Sequence, residues 1–325
     1  VKLVATVITI ASGGSAGKEG PCAQIGGGVA SVFARLFRFD AHDRKKLVIC
    51  GISAGFASVF GTPIAGAFFG VEVLFVGSIL YDVMLPSFIS GVISYNISSA
   101  LGINYFHHAL NIPLSFSPVF FYQIVLAGVF FGLCSFLLIE MLEAGKKVSS
   151  KINLWKPFKG VLGGFILVIA ALCFSSNYLG IGLDTIESSL SGESVPWYAF
   201  ILKSFTTSVT LNFGGSGGIV TPIFFVGSTS GNMFAHVLHL NAVLFSALGF
   251  VALLAGAANT PIAASIMAIE LFGPHIAPYA ALVCVISFLI TGHRSVYPSQ
   301  ILAFKKSKLI DIELGKEIDK VEPKL

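Results

Sequence analysis

Long apolar runs alternate along this chain with short, abrupt polar breaks. Uncharged stretches, such as Leu47 to Val71, Gly160 to Leu183 and Phe205 to Ile269, exceed the roughly 20 apolar residues a helix needs to cross a hydrocarbon layer. Glycine and proline cut these runs repeatedly, so many helices should be short, tilted or broken partway. The pattern predicts helices near 2–11, 21–37, 46–59, 62–76, 79–101, 117–145, 160–178, 193–212, 222–239, 242–257, 261–272 and 277–291, with a last short helix after Tyr297. Irregular backbone at membrane depth is tolerated only where protein buries it or where it lines a cavity. The expected architecture is therefore an all-α, polytopic membrane protein of the transporter or channel kind.

Composition sharpens this reading. Of 325 residues, 55% are hydrophobic and 11% charged, against about a quarter charged in a soluble domain, and the mean hydropathy is +0.87. Cys22, Cys50, Cys134, Cys173 and Cys284 are scattered through apolar segments without a CxxC or a histidine at ligand spacing. That argues against a disulfide framework, a metal site or a cofactor. The net charge of +4 comes from clusters: Arg35, Arg38, Arg44, Lys45 and Lys46, then Lys146, Lys147, Lys151, Lys156 and Lys159, then Lys305, Lys306 and Lys308. By the positive-inside rule these mark the cytoplasmic side, and they give no reason to expect nucleic acid as a partner.

The chain also repeats itself. "SGGSAGKEGPCAQIGG" at 12–27 overlays "FGGSGGIVTPIFFVGS" at 213–228, an offset of 201 residues. Lys2, Thr6 and Thr9 then fall on Lys203, Thr207 and Thr210, and "TPIAGAFFGVE" at 62–72 matches "TPIAASIMAIE" at 260–270. Duplicated halves with polar breaks in corresponding places are the mark of transporters built from structural repeats. The expected divisions are a first repeat over 1–112, a second over 113–292, a final short helix with Tyr297 over 293–303, and a cytoplasmic tail over 304–325. The second half has hydrophobic segments ahead of Lys203 without counterparts ahead of Lys2, so the first repeat is expected to lack its N-terminal helices.

Each GGS block is followed by a proline, Pro21 or Pro222, suited to the first turn of a helix. Helix starts expose unpaired N–H groups and the positive end of the macrodipole, and glycines let a ligand approach that backbone closely. Two such starts converging inside a membrane would hold an anion without a buried cation. Glu19, sitting at one of them, can occupy the anion's place when ionised and leave it when protonated, and intramembrane carboxylates often mark ion or proton routes. Lys18 beside it suits either a pathway charge or a neutralising partner.

A second motif reading exists. "GGSAG" and "GGSGG" match the G-x-S-x-G of a nucleophile elbow, and "GGSG" with His236 downstream of Ser216 suggests an intramembrane serine hydrolase. An elbow requires a preceding strand, which neither flank offers, and duplication already explains why the motif occurs twice. An ion-translocating protein, not an enzyme, is the better reading.

"GKEGP" at 17–21, "GGIVTP" at 217–222 and "SVYPSQIL" at 295–302 together resemble the CLC family of anion channels and anion/proton antiporters. The resemblance spans nearly the whole chain. It implies a homodimer in a cell's inner (plasma) membrane, one pathway per subunit, and two inverted repeats of broken, tilted helices. It also implies a gating and proton-coupling role for Glu19, an anion pathway built by Gly17, Lys18, Gly20, Pro21, Gly218, Ile219, Val220 and Thr221, and a central-anion contact from Tyr297. The family's first signature, G-S-G-I-P, would belong to a segment ahead of Val1.

Two departures from the family's pattern select a branch. Chloride/proton exchangers carry an inner proton-relay glutamate at the position of Val73, and the phenylalanine of G-x-F-x-P is Val220, followed by Thr221. "GIVTP" with its hydroxyl is similar to the fluoride/proton antiporter branch, in which the gating glutamate carries protons without an inner partner. Fluoride export in exchange for protons, conferring fluoride resistance, is the expected function; a chloride channel or chloride/proton exchanger of the same fold is the alternative. Phe224, Phe225, Val73 and Glu72 are further candidates for lining the route. Glu72 and Glu270 occupy matching places in the two halves, which points to a shared structural task.

Overall fold

Proline and capping residues start the helices where local chemistry asks for it. In the computed structural model, which describes residues 1–105, 107–110, 117–306 and 314–320, Pro63, Pro118, Pro157 and Pro261 all sit in first turns, where a missing N–H breaks no helical bond. Asp40, Ser117 and Asn241 accept hydrogen bonds from the N–H groups of Asp43, Phe120 and Leu244 at other starts.

Thirteen α-helices form among the described residues. The first half contains α1 (Lys2–Ala11), α2 (Glu19–Leu36), α3 (Ala41–Phe60), α4 (Pro63–Glu72) and α5 (Tyr81–Ala100). The second contains α6 (Pro118–Lys151), α7 (Lys156–Cys173), α8 (Leu183–Leu190), α9 (Ala199–Asn212), α10 (Val220–Val237), α11 (Ala242–Ala258), α12 (Pro261–Phe272) and α13 (Ala277–Ile290). α6 and α7 are long and apolar enough to cross a membrane singly, while α1, α4, α11 and α12 are shorter apolar pieces. α10 and α11 are buried along most of their length and form the centre of the main core.

The expected elements need three corrections. Among the described residues no α-helix follows Tyr297. Instead β2 (Ile301–Leu302) pairs in parallel with β1 (Phe75–Val76), which follows α4. The N–H groups of Ile301 and Ala303 go to the carbonyls of Leu74 and Val76, so partners distant in sequence take the bonds that a helix would have made locally. The helix expected over 193–212 starts only at Ala199, because the preceding segment turns through Pro196. α8 escaped notice because its face is polar and it is only 8 residues long. The expected boundary between repeats and much of the tail lie outside the described residues.

The two halves are tied by reciprocal hydrogen bonds between equivalent positions. Ser15 N–H donates to Thr210 Oγ1 at 2.9 Å, and Ser216 N–H donates to Thr9 Oγ1 at 3.0 Å. The hydroxyls of Ser15 and Thr207 lie 3.0 Å apart, and those of Thr6 and Ser216 lie 3.4 Å apart. Gly17 N–H donates to Gly218 O at 2.8 Å, and Gly218 N–H returns to Gly17 O at 2.7 Å. Bonds exchanged in this way define a pseudo-two-fold axis through the Gly17–Gly218 pair.

The carboxylates shared by the two halves obey the same axis. Glu72, at the end of α4, accepts from the N–H groups of Ile262 and Ala263 at the start of α12, at 3.2 and 2.9 Å. Glu270, near the end of α12, accepts from Ile64 and Ala65 at the start of α4, at 2.9 and 2.8 Å. Each half thus caps a helix of the other with charge-assisted bonds at the positive end of its dipole. Close packing is repeated too: a Cβ on Gly26 would meet the carbonyl oxygen of Gly51 and one on Gly51 that of Gly26, and Gly227 and Gly249 block each other likewise. Small residues that let backbones touch are how helices associate where no hydrophobic drive acts between them.

Candidate functional site

The starts of α2 and α10 meet at the pseudo-two-fold axis. A Cβ on Gly20 would come within 2.8 Å of Gly218 Cα, so the two helix starts approach as closely as backbone allows. Lys18 and Ile219 precede the helices, and neither gives its helix a side-chain cap. With Pro21 and Pro222 in the first turns, the remaining first-turn N–H groups face the gap between the helices without intrahelical partners.

Glu19 fills that gap. It is the first residue of α2 and is 3% exposed. Its carboxylate accepts a hydrogen bond from the hydroxyl of Thr221, on the opposing helix. Thr221 is the second residue of α10, inside the helix rather than at its cap, and its hydroxyl serves the carboxylate across the axis.

A cavity of about 380 Å³ opens beside Glu19. Gly20, Val73, Val220 and Tyr297 join Glu19 in its wall. Phe56 and Phe69, stacked with ring centroids 4.1 Å apart, form part of its apolar side. Glu19, Val220 and Tyr297, drawn from three separate stretches of sequence, thus share one space.

The voltage gated chloride channel family, CLC, matches residues 1–292 of the chain. The chain belongs to this family. It is 37% identical over 313 residues to a chloride/fluoride channel protein of Pseudomonas syringae pv. tomato, covering 94% of this chain and 69% of that protein. A voltage-gated ClC-type chloride channel, ClcB, of Escherichia coli is 29% identical, covering 91% of this chain and 74% of its own length. Among solved structures, a CLC-type fluoride/proton antiporter superposes with a TM-score of 0.88 at 29% identity, covering 92% of this chain and 75% of that one. A slow cyanobacterial chloride/proton antiporter has the same fold, with a TM-score of 0.78 at 20% identity over 89% of this chain and 71% of that one. The chain is accordingly a membrane protein with the all-α CLC fold.

Within this CLC chain not every candidate from the sequence reaches the cavity. Gly17 and Gly218 form the bridge behind it, and Pro21 is buried in the first turn of α2. Lys18 is exposed and stands apart from the cavity wall. Ile219 faces a smaller cavity of about 180 Å³ with Leu211, Asn212 and Val296. Phe224 stacks on Phe250 at 3.9 Å and meets Phe60 edge-on. Phe225 packs against Tyr178 and beneath the Lys203 ammonium. Both rings are core residues outside the wall of the larger cavity. Glu72 is outside it as well, with both carboxylate oxygens engaged by α12. Ser216 precedes α10 and His236 lies near its far end, with about 24 Å of helix between Val220 and His236 at the helical rise, which removes them as a nucleophile and base pair.

Other wall residues went unnoticed in the sequence. Ala23, Gln24 and Gly27 line the cavity from α2 beside the expected Gly20, and their spacing of three, four and seven from Gly20 marks one helix face, a signal that was available. Gln300 also lines it, and nothing local in "SVYPSQIL" marks that residue out.

Proposed function

We propose that the protein exports fluoride in exchange for protons, with Glu19 as the group that both gates the route and carries the proton. The supporting observation is the Glu19 carboxylate, seated where two uncapped helix starts converge and held by Thr221 from the opposite half. Ionised, the carboxylate competes with a free anion for the same N–H groups. Protonated, it loses that competition and leaves its seat to the ion.

Fluoride is small, strongly hydrated and a strong acceptor, so shedding its water requires close donors. Thr221 Oγ1, the Tyr297 hydroxyl and the backbone N–H groups near Ile219 and Val220 are the donors of this region. Val73 stands where an inner relay carboxylate would be needed for a second proton carrier, so coupling rests on Glu19. An inward proton gradient then expels fluoride and gives fluoride resistance. The names of the Pseudomonas syringae relative and of the solved fluoride/proton antiporter support this ion choice.

The two repeats divide at the segment before α6, and all the candidate route residues come from one chain. The assembly we propose is a homodimer in the inner membrane with a separate route in each subunit. Exposed apolar residues on α4, α5 and α12, among them Ile64, Ile89, Ile93, Ile262 and Ile269, suit burial against lipid or a second copy.

Efflux from proteoliposomes containing the full-length protein tests the function, with fluoride and chloride electrodes and internal pH followed together. Fluoride efflux with opposite proton movement, both abolished in Glu19→Gln, is the expected result. Chloride flux as fast as fluoride flux with no proton movement would replace the proposal by a passive chloride channel.

A further inference from the structure

We infer that Gln300 is a positioning residue that aims Tyr297 into the cavity and thereby sets discrimination between anions. The inference rests on the reading that Tyr297 lines the anion route. Gln300 is 2% exposed, and its amide uses all of its hydrogen-bonding capacity within the protein. Nε2 donates to the carbonyls of Val73 and Ala258 at 2.8 and 2.7 Å. Oε1 accepts from Ser295 Oγ at 2.5 Å and from Asn259 Nδ2 at 3.1 Å. Since carbonyls only accept, the amide has one consistent orientation.

These partners are the ends of structural elements. Val73 follows α4 and lines the cavity, and Ala258 is the last residue of α11. Asn259 ends α11 in the left-handed conformation at φ 58°, and its Oδ1 accepts from Lys306 Nζ at 2.6 Å. Gln300 therefore gathers both halves of the protein and the chain beyond β2 around one amide.

The link to Tyr297 runs through both of that residue's main-chain groups. Ser295 Oγ, which donates to Gln300, accepts the Tyr297 N–H at 3.0 Å. Gln300 N–H donates to the Tyr297 carbonyl at 3.1 Å. No helix or strand contains residues 291–300, so these bonds, rather than a regular element, hold the tyrosine backbone. A donor that must recognise a partly dehydrated ion has to be held to within about 0.5 Å, which falls to the residues behind it.

Flux measurements on the full-length protein in proteoliposomes test this, using fluoride and chloride as the probes. Gln300→Leu removes all four side-chain bonds at similar volume; Ser295→Ala removes the hydroxyl that joins Gln300 Oε1 to the Tyr297 N–H, and its contact with the Ala257 carbonyl, but keeps the other three Gln300 side-chain bonds and serves if the leucine variant does not fold. The expected result is a fall of about fivefold to tenfold in the fluoride-over-chloride flux ratio for either variant. Combined with Tyr297→Phe, neither should lower the ratio further, because the hydroxyl being aimed is already gone. An unchanged ratio alongside a lower melting temperature, or full additivity with Tyr297→Phe, would make Gln300 a structural clamp and overturn the inference. If Tyr297→Phe alone leaves both fluxes unaltered, the pathway reading at Tyr297 fails first and the inference falls with it, an outcome distinct from a failure of Gln300 alone.

Discussion

At the start of α2 the chain places Lys18, Glu19 and Gly20; at the equivalent start of α10 it places Ile219, Val220 and Thr221. The backbone is the same in both: a glycine bridge, a helix start without a side-chain cap, and a proline in the first turn. The side chains are not. One start supplies a carboxylate and the other the hydroxyl that holds it. Elsewhere along the axis the chemistry is symmetric, as with Glu72 and Glu270, Ser15 and Ser216, and Thr9 and Thr210. Symmetric pairs hold the scaffold together, and the place where the symmetry is broken is where the proposed exchange of fluoride for protons needs two different groups.

The largest expected effect comes from restoring the symmetry that the protein breaks. Glu19→Val gives α2 the side chain of α10, and proton-coupled fluoride flux should disappear while the fold persists, as read by flux and by melting temperature in detergent. If proton coupling persisted, the proton carrier would have to be sought elsewhere.

The capping carboxylates come next. Glu72→Leu leaves two N–H groups at the start of α12 without acceptors inside the protein and should cost about 2–4 kcal/mol. Glu270→Leu should cost less, about 1–2 kcal/mol, because Glu270 is only half-buried and Ile64 is exposed. Denaturant titration of the purified protein measures both. A Glu72→Leu protein of unchanged stability that had lost proton flux would instead place Glu72 on a proton route.

The equivalent lysines sharpen the comparison at smaller amplitude. Lys203 is fully buried and donates to the carbonyls of Tyr178 and Gly180 at 3.3 and 2.9 Å, whereas Lys2 is exposed. Lys203→Met should destabilise by about 1–3 kcal/mol, and Lys2→Met should stay within about 0.5 kcal/mol of the parent. Equal effects would mean that the two halves share more of their packing than their burial indicates.

Much of this was legible without coordinates. Apolar run length, proline at helix starts and glycine at breaks are local signals, and they located nearly every helix, the duplication and Glu19, while the resemblance to the CLC family singled out Thr221 and Tyr297. The bond between Glu19 and Thr221 and the reciprocal capping by Glu72 and Glu270 join residues about two hundred positions apart, and no local periodicity encodes which distant N–H a carboxylate will meet. For the same reason Phe224 and Phe225 looked suited to lining the route until the fold placed them in the aromatic core. The sequence by itself determined a duplicated helical membrane protein with a carboxylate at a glycine-rich helix start. Only the tertiary structure decided that the chain after Tyr297 pairs as a strand and that Gln300 gathers three chain segments, because those bonds form only once the two halves have come together.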